Sequence, residues 1–152
     1  MIRRILVVCV GNICRSPMAE GLLKRALPDL QISSAGLDAM VGHGADPIAV
    51  RLMAEQGIDI GTHRARMVTD AMARESDLIL VMDSQQQQQI AAEYPLTRGK
   101  VFRLGETTKQ NIHDPYRQSA EVFRSSLDLI ASGSSAWVKR INSISSFGAR
   151  TK

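Results

Sequence analysis

Four short apolar runs alternate along the chain with longer segments of helical pattern, and this alternation restricts the fold more than any other feature. The apolar runs lie at residues 2–8, 30–34, 77–83 and 100–104. Strands that alternate with helices form βαβ units, whose right-handed crossovers give a parallel sheet. The sequence therefore predicts an α/β protein: a single-domain three-layer fold with a four-stranded parallel sheet flanked by helices.

The helical segments between these runs are marked by residues that favour helix ends. Pro17 fits the first turn of a helix, and Asp46 with Pro47 forms an N-cap followed by proline at the first position. Gly57 and Pro95 each follow the predicted end of a helix. We expect helices at residues 18–27, 47–56, 69–74, 84–94 and 120–144.

Three segments in the second half of the chain have an unusual composition. The run Gln85 to Gln89 is interpreted as a solvated helix face, since glutamine is a fair helix former. Gly133 and its neighbouring serines are expected to weaken the last helix midway. Residues 145–152 are small and polar and are predicted to form a frayed C-terminal tail, which leaves residues 1–144 as the domain.

The composition excludes several classes of protein. The 152 residues are 44% hydrophobic and 22% charged, which supplies a core without disulfides or metal ions and excludes a disordered or fibrous chain. The net charge is only +4, the basic residues are scattered and aromatic residues make up 4% of the chain, so we expect no nucleic-acid partner. No apolar run approaches the roughly 18 residues of a membrane helix, so we expect no membrane insertion. The N-terminal apolar run is too short for a signal peptide, which predicts a cytoplasmic protein.

The loop between the first strand and the first helix carries the strongest chemical signal. It holds Cys9 and Arg15 with five residues between them, including Gly11, and it leads into Ser16 and Pro17 at the start of the helix. A helix N-terminus presents unpaired N–H groups and partial positive charge, and a curled loop directs further N–H groups inward. The guanidinium of Arg15 adds a planar fork that binds two phosphate oxygens at once. The pattern therefore predicts a phosphate-binding loop.

Cys9 is predicted to be the nucleophile at the floor of this loop. Positively charged surroundings favour the thiolate form of a cysteine, and a thiolate attacks a bound phosphorus atom. The hydroxyl of Ser16 is close in sequence and is expected to donate a hydrogen bond to the sulfur. Alternatively, Cys9 is a small buried hydrophobe that ends a strand. A C-x5-R match by itself arises by chance, whereas the strand, the glycine and the Ser-Pro around it favour catalysis.

Residues 8–20, VCVGNICRSPMAE, resemble the signature of the low-molecular-weight protein tyrosine phosphatases. The resemblance covers nearly the whole chain and includes SSAG at 33–36, DP at 46–47, GTHRAR at 61–66, DLILVMD at 77–83 and DPY at 114–116. It implies an enzyme that hydrolyses phosphotyrosine through a cysteinyl-phosphate intermediate, with no metal ion and no other cofactor.

The resemblance also implies roles for individual residues. Cys9 is the nucleophile, Arg15 binds phosphate and Asp114 is the general acid. The phosphate-binding loop then comprises Val10, Gly11, Asn12, Ile13, Cys14 and Ser16.

Several residues are expected to support this loop. The resemblance implies that Asn12, Ser16 and Ser34 hold it in shape, with His63 beside them. Cys14 has two open interpretations. It packs under the loop, or it forms a disulfide with the nucleophilic cysteine on oxidation, as the resemblance implies.

Asp114 and Tyr116 are expected to act on the leaving group and the substrate ring. A departing phenolate needs a proton, and a carboxylic acid can supply it and later take a proton from water. Alternatively, Asp114 is a turn residue before proline. Tyr116 is expected to stack on a flat aryl substrate, and Leu37 or Met40 is the candidate for the opposite wall.

Other functions are less compatible with the residues present. Arsenate reductases share this fold but need further cysteines, and the chain has none after Cys14. Protein arginine phosphatases tend to carry threonine where Ile13 stands, so Ile13 favours an aryl phosphate. A non-catalytic phosphate-binding module would lack the nucleophile or the acid, and both Cys9 and Asp114 are present. A zinc site would need a second ligand pair.

Residues 35–37, 41–42 and 44–47 most resemble the bacterial members of the family. Those members are partners of autophosphorylating tyrosine kinases that control capsule or exopolysaccharide export. The resemblance therefore implies that the substrate is a phosphotyrosine protein, namely a bacterial tyrosine kinase of that kind.

Overall fold

The computed structural model describes residues 1–150, with side chains described for residues 1–144. The sheet consists of four strands, β1 (Arg4–Cys9), β2 (Gln31–Gly36), β3 (Leu78–Val81) and β4 (Val101–Arg103). Neighbouring strands are parallel, and their order across the sheet is β2-β1-β3-β4. The predicted α/β fold with a four-stranded parallel sheet is confirmed.

Helices cover both faces of the sheet. They are α1 (Arg15–Ala26), α2 (Pro47–Glu55), α3 (Asp70–Glu75), α4 (Ser84–Glu93) and α5 (Ala120–Arg150), with a short 3-10 helix (Pro95–Thr97) after α4. The expected weakening at Gly133 does not interrupt α5. The frayed tail stays a prediction, because the side chains from Ser145 onward and residues 151–152 lie outside the part described. None of the described helices is both long enough and apolar enough to cross a membrane.

Side-chain caps explain where several helices begin. Asp46 accepts a hydrogen bond from the backbone N–H of Ile48 at 2.9 Å, and Asp83 accepts one from that of Gln86 at 2.8 Å. Each cap satisfies an N–H group that has no partner inside its helix. Gly57 follows α2 with a φ of 76°, a left-handed conformation that glycine adopts without strain.

The glutamine run at the start of α4 is not uniformly solvated. Gln86 is only 3% exposed, and its Oε1 accepts a hydrogen bond from the backbone N–H of Met82 at 2.9 Å. Gln87 is half-buried and donates to the carbonyl oxygen of Val101 at 3.0 Å. The predicted solvated face is therefore wrong for Gln86. The exposed members of the run are Gln85, Gln88 and Gln89.

The central strand β1 is buried on both faces of the sheet. Ile5, Val7 and Cys9 belong to the core that forms with α1, α2 and α5, whereas Leu6 and Val8 belong to the core that forms with α3 and α4. Because successive side chains of a strand point to opposite faces, this alternation places Cys9 on the α1 side of the sheet.

The strand order creates a crevice at the carboxyl edge of the sheet. The chain leaves β1 toward β2 and leaves β3 toward β4, so the two connections diverge from the middle of the sheet. Ligands bind at such switch points in open α/β sheets. The loop after β4 reaches the same edge, since the backbone N–H of Ile112 donates to the carbonyl oxygen of Met82 at 2.9 Å.

Candidate active site

The loop between β1 and α1 turns its carbonyl oxygens outward. The carbonyl oxygens of Cys9, Val10, Gly11 and Ile13 accept hydrogen bonds of 2.8–3.0 Å from backbone N–H groups between residues 37 and 46. The N–H groups of residues 11–14 donate to no acceptor within the described chain. A loop whose carbonyls are bonded on the outside and whose N–H groups are available on the inside forms an anion cradle.

Asn12 holds this loop in its curled form. Its φ is 58°, in the left-handed region that asparagine tolerates better than most residues. Its Nδ2 donates to the hydroxyl oxygens of Ser16 at 2.7 Å and Ser34 at 3.0 Å, and its Oδ1 accepts from the backbone N–H of Arg66 at 3.0 Å. The side chain is fully buried. The structure thus brings together Asn12, Ser16 and Ser34, the residues that the resemblance implies hold the loop.

His63 contacts the same turn from the side away from the cradle. Its Nε2 lies 2.6 Å from the carbonyl oxygen of Asn12, which makes the ring nitrogen the donor because a carbonyl only accepts. All the carbonyl oxygens from Cys9 to Cys14 are then hydrogen-bonded, since that of Cys14 accepts from the N–H of Met18 at 3.2 Å.

The sulfur of Cys9 has a specific hydrogen-bond partner. Cys9 is 3% exposed, and its Sγ lies 2.9 Å from the Oγ of Ser16. That Oγ accepts a hydrogen bond from Asn12 and keeps its own proton, which it can donate to the sulfur when Cys9 is a thiolate and can only accept. The contact therefore offers a sulfur anion one defined hydrogen-bond donor.

The guanidinium of Arg15 is fixed from one side. The side chain is 3% exposed, and Nη1 donates to the carbonyl oxygen of Ile112 at 2.8 Å. Nη1 is also 3.8 Å from Oδ2 of Asp83, and Nη2 is 3.6 Å from Oδ2 of Asp114. Nε is buried and has no hydrogen-bond partner in the described chain. Arg15 therefore has a donor left for an anion in the cradle.

Asp114 stands at the mouth of the site. Its side chain is 48% exposed, and its Oδ1 accepts a hydrogen bond from the backbone N–H of Tyr116 at 3.1 Å. The loop that carries it is held against α5, where the hydroxyl of Ser126 donates to the carbonyl oxygen of His113 at 3.0 Å. A carboxyl group in this position can exchange protons with solvent and with a molecule entering the cavity.

A cavity of about 190 Å³ joins these groups. It is lined by Cys9, Val10, Gly11, Ile13, Cys14, Arg15, Asp38, Met40, Asp114 and Tyr116. Asp38 is absent from the sequence-based prediction, since nothing distinguishes it from any other polar residue of a loop.

The structure distinguishes between Leu37 and Met40, the two residues predicted for the second wall of the cavity. Met40 lines the cavity, whereas Leu37 packs against the core on the opposite face of the sheet. Tyr116 lines the cavity as well, and the guanidinium carbon of Arg117 lies 5.2 Å from its ring centroid. This cation–π contact orients the ring at the entrance.

Cys14 is buried, lines the cavity and is a free thiol in this structure. Burial, followed by the nearby Asp46 carboxylate, raises the pKa of the Cys14 thiol above its ordinary value. Cys14 therefore stays protonated at neutral pH and adds no negative charge to the anion cradle. Among the described residues there is no group of three or more His, Cys, Asp or Glu side chains that could hold a metal ion.

Comparisons with known proteins agree on one family. The family model for low molecular weight phosphotyrosine protein phosphatase matches residues 4–146. The probable low molecular weight protein-tyrosine-phosphatase EpsP of Ralstonia nicotianae is 50% identical over 144 residues, which is 95% of this chain and 99% of that protein.

Solved structures show the same similarity. The tyrosine phosphatase Wzb from Escherichia coli K30, in complex with sulphate, superposes with a TM-score of 0.90 at 42% identity and covers 93% of this chain and 99% of its own. The YwlE arginine phosphatase from Geobacillus stearothermophilus superposes with a TM-score of 0.87 at 30% identity and covers 93% of this chain and 94% of its own.

Proposed function

The chain belongs to the low molecular weight phosphotyrosine protein phosphatase family, and we propose that it hydrolyses phosphotyrosine in proteins through a cysteinyl-phosphate intermediate. One observation carries this proposal. The sulfur of Cys9, hydrogen-bonded by Ser16, lies at the floor of a cradle of backbone N–H groups, with Arg15 beside it and the Asp114 carboxyl at its mouth.

The first step transfers the phosphoryl group to the enzyme. The Cys9 thiolate attacks phosphorus, an S–P bond forms and the bond from phosphorus to the phenolic oxygen breaks. Asp114 gives its proton to that oxygen, so tyrosine leaves as a neutral phenol. The loop N–H groups and the fork of Arg15 stabilise the charge on the equatorial phosphoryl oxygens.

The second step restores the enzyme. Asp114, now a carboxylate, takes a proton from a water molecule that attacks phosphorus. The S–P bond breaks, inorganic phosphate forms and Cys9 departs as a thiolate. The hydroxyl of Ser16 stabilises this leaving group by the hydrogen bond it donates at 2.9 Å.

The shape of the cavity supports an aryl phosphate as the substrate. The Cys9 sulfur is buried, while Tyr116 and Met40 line the cavity and offer an aromatic and a thioether surface to a ring. Ile13 also lines it and offers an apolar contact. Hydrolysis of phosphoarginine in proteins is the second candidate, since the YwlE arginine phosphatase superposes on this chain. The apolar Ile13 and the higher identity to EpsP favour phosphotyrosine.

The biological substrate that we propose is an autophosphorylated bacterial tyrosine kinase of polysaccharide export, met in the cytoplasm. The proposal is supported by the resemblance of residues 35–37, 41–42 and 44–47 to bacterial members. A pull-down with the Cys9→Ser protein tests it, because a disabled nucleophile leaves the bound phosphoprotein intact. If the Cys9→Ser protein captures such a kinase and inorganic phosphate prevents the capture, the proposed substrate is supported. Capture of unrelated phosphoproteins alone would contradict it.

Replacing Cys9 by serine tests the catalytic proposal itself. A hydroxyl does not ionise where a thiol does, so Cys9→Ser should remove phosphotyrosine hydrolysis while the protein stays folded. The measurement is phosphate release, with circular dichroism to verify the fold. Cys14→Ser is the matched control and should keep substantial activity, because Cys14 is not the attacking group. Appreciable hydrolysis by a folded Cys9→Ser protein would overturn the proposal.

A further inference from the structure

A second and larger groove lies beside the phosphate cavity, and the mechanism above does not use it. Its volume is about 530 Å³, and it shares Val10, Arg15 and Asp114 with the cavity. The remaining lining residues are mostly polar: Asp83, Gln85, Gln86, Gln89, Asn111, Ile112 and His113. Because the two share a border, a peptide that places its phosphotyrosine in the cavity can extend directly into the groove.

The glutamine run of α4 supplies one side of this groove. Gln85 and Gln89 are four residues apart and share a helix face, and both are exposed. Gln88 is exposed as well but does not line the groove. The run is therefore divided between a groove face and a solvent face.

Gln86, at the same groove, has an unsatisfied donor. The residue is only 3% exposed, and its Oε1 accepts a hydrogen bond from the backbone N–H of Met82. Its Nε2 has no hydrogen-bond partner in the described chain. This Nε2 is also closed to solvent, so Gln86 forms a fixed wall of the groove, and the exposed amides of Gln85 and Gln89 are the ones available to a ligand.

The charges of the groove restrict what can bind there. Its one cationic residue, Arg15, is buried and is 3.8 Å and 3.6 Å from the carboxylates of Asp83 and Asp114. In the proposed complex Arg15 also binds the substrate phosphate, so no free cation among the described residues lines the groove and a negatively charged phosphate lies beside it. A second phosphate or an acidic side chain is thus repelled, whereas the carbonyl and N–H groups of a peptide match the amide side chains.

We propose that Gln85 and Gln89 bind the main chain of the substrate segment next to the phosphotyrosine, and that the groove selects against acidic side chains in that segment. This inference rests on the proposed phosphatase function and adds the part of the substrate that the enzyme recognises beyond the phosphorylated ring.

The double variant Gln85→Ala/Gln89→Ala tests the binding role, with Gln88→Ala as the matched control on the same helix. Two substrates are compared: a phosphotyrosine peptide with neutral flanking residues, and a small aryl phosphate with no peptide. In the double variant, kcat/KM for the peptide should fall about tenfold relative to that for the aryl phosphate, as expected for two neutral hydrogen bonds. The loss should appear in KM, because such contacts bind substrate and transition state alike. Gln88→Ala should keep the wild-type ratio.

Peptides with aspartate or lysine beside the phosphotyrosine test the charge selection, and the wild-type protein should prefer lysine. A wild-type ratio in the double variant, an equal loss in Gln88→Ala, or a preference for aspartate would each overturn the inference while the phosphatase function stands. Absence of Cys9-dependent hydrolysis of the aryl phosphate would instead overturn both.

Discussion

Two carboxylates line the phosphate cavity, and their surroundings differ. Asp114 lies 3.6 Å from the guanidinium of Arg15, the group that we expect to bind phosphate, whereas Asp38 belongs to the loop after β2. A proton donor must be close to the bond that breaks, and that bond is at phosphorus, next to Arg15. The contact with Arg15 therefore supports Asp114 as the general acid.

The change Asp114→Asn should affect substrates according to their leaving group. Tyrosine has a pKa of about 10, so it leaves poorly as an anion, while an activated aryl phosphate needs less protonation. Proton donation contributes a factor of about 10² to 10⁴ in rate, so kcat/KM for phosphotyrosine should fall by about that factor. The value of kcat/KM for the activated ester should fall far less. Asp38→Asn is the matched control and should affect both esters alike. Equal losses in the Asp114 variant would remove it from this role and make His113 the next candidate.

At the scale of elements, the packing of α5 on the loop after β4 depends on a missing side chain. A Cβ atom added at Gly133 would lie 2.7 Å from the carbonyl oxygen and 3.2 Å from Cγ of Leu104. Four residues along, the indole N–H of Trp137 donates to the carbonyl oxygen of Arg103 at 3.0 Å. Gly133 thus permits a close helix-to-backbone contact, and the helix continues through it because that contact offsets its poor propensity.

Replacing Gly133 by alanine should therefore destabilise the protein, although alanine is the better helix former. The clash with Leu104 forces α5 away from β4, and such overpacking costs about 1–3 kcal/mol against a propensity gain of about 1 kcal/mol. Urea denaturation measures the free energy of unfolding. Ser132→Ala, at an exposed neighbouring position, is the control and should leave stability unchanged or slightly raised. A more stable Gly133→Ala protein would show that the close contact does not govern this helix.

For the molecule as a whole, the sequence predicts features that depend on neighbouring residues better than features that depend on contacts between distant segments. Strands and helix caps are recorded in local patterns, so the alternation of apolar runs and the cap at Asp46 predicted the elements well. Cys9 ends β1 and Arg15 begins α1, only six residues further on, so their association could be predicted without knowledge of the fold. The burial of Gln86 and the position of Asp38 at the cavity arise when distant segments pack together, as in the 3.0 Å bond from the N–H of Asp38 to the carbonyl oxygen of Val10. No local pattern records such contacts.

One such long-range contact, between the start of β1 and the residue before β3, contributes to the dependence of overall stability on pH. Oδ2 of Asp77 accepts hydrogen bonds of 2.9 Å from the backbone N–H groups of Arg3 and Arg4. These bonds hold the pKa of the Asp77 carboxyl below its usual value. A lowered folded-state pKa contributes stability that is fully present above the unfolded value of about 3.9 and is lost as the pH falls through the folded value.

Asp77→Asn should therefore lower the free energy of unfolding at pH 7 by about 1 kcal/mol, a hydrogen-bond contribution reduced by the exposure of the side chain. The difference from the wild-type protein should shrink as the pH falls below about 4, because both proteins then carry a neutral side chain at this position. Urea denaturation between pH 7 and pH 3 measures it. Asp29→Asn, at an exposed aspartate that makes no side-chain hydrogen bond in the described chain, should show a difference near zero throughout. If the free energy of unfolding of Asp77→Asn stays below that of the wild-type protein by a constant amount down to pH 3, the carboxylate charge does not stabilise the junction of β1 and β3.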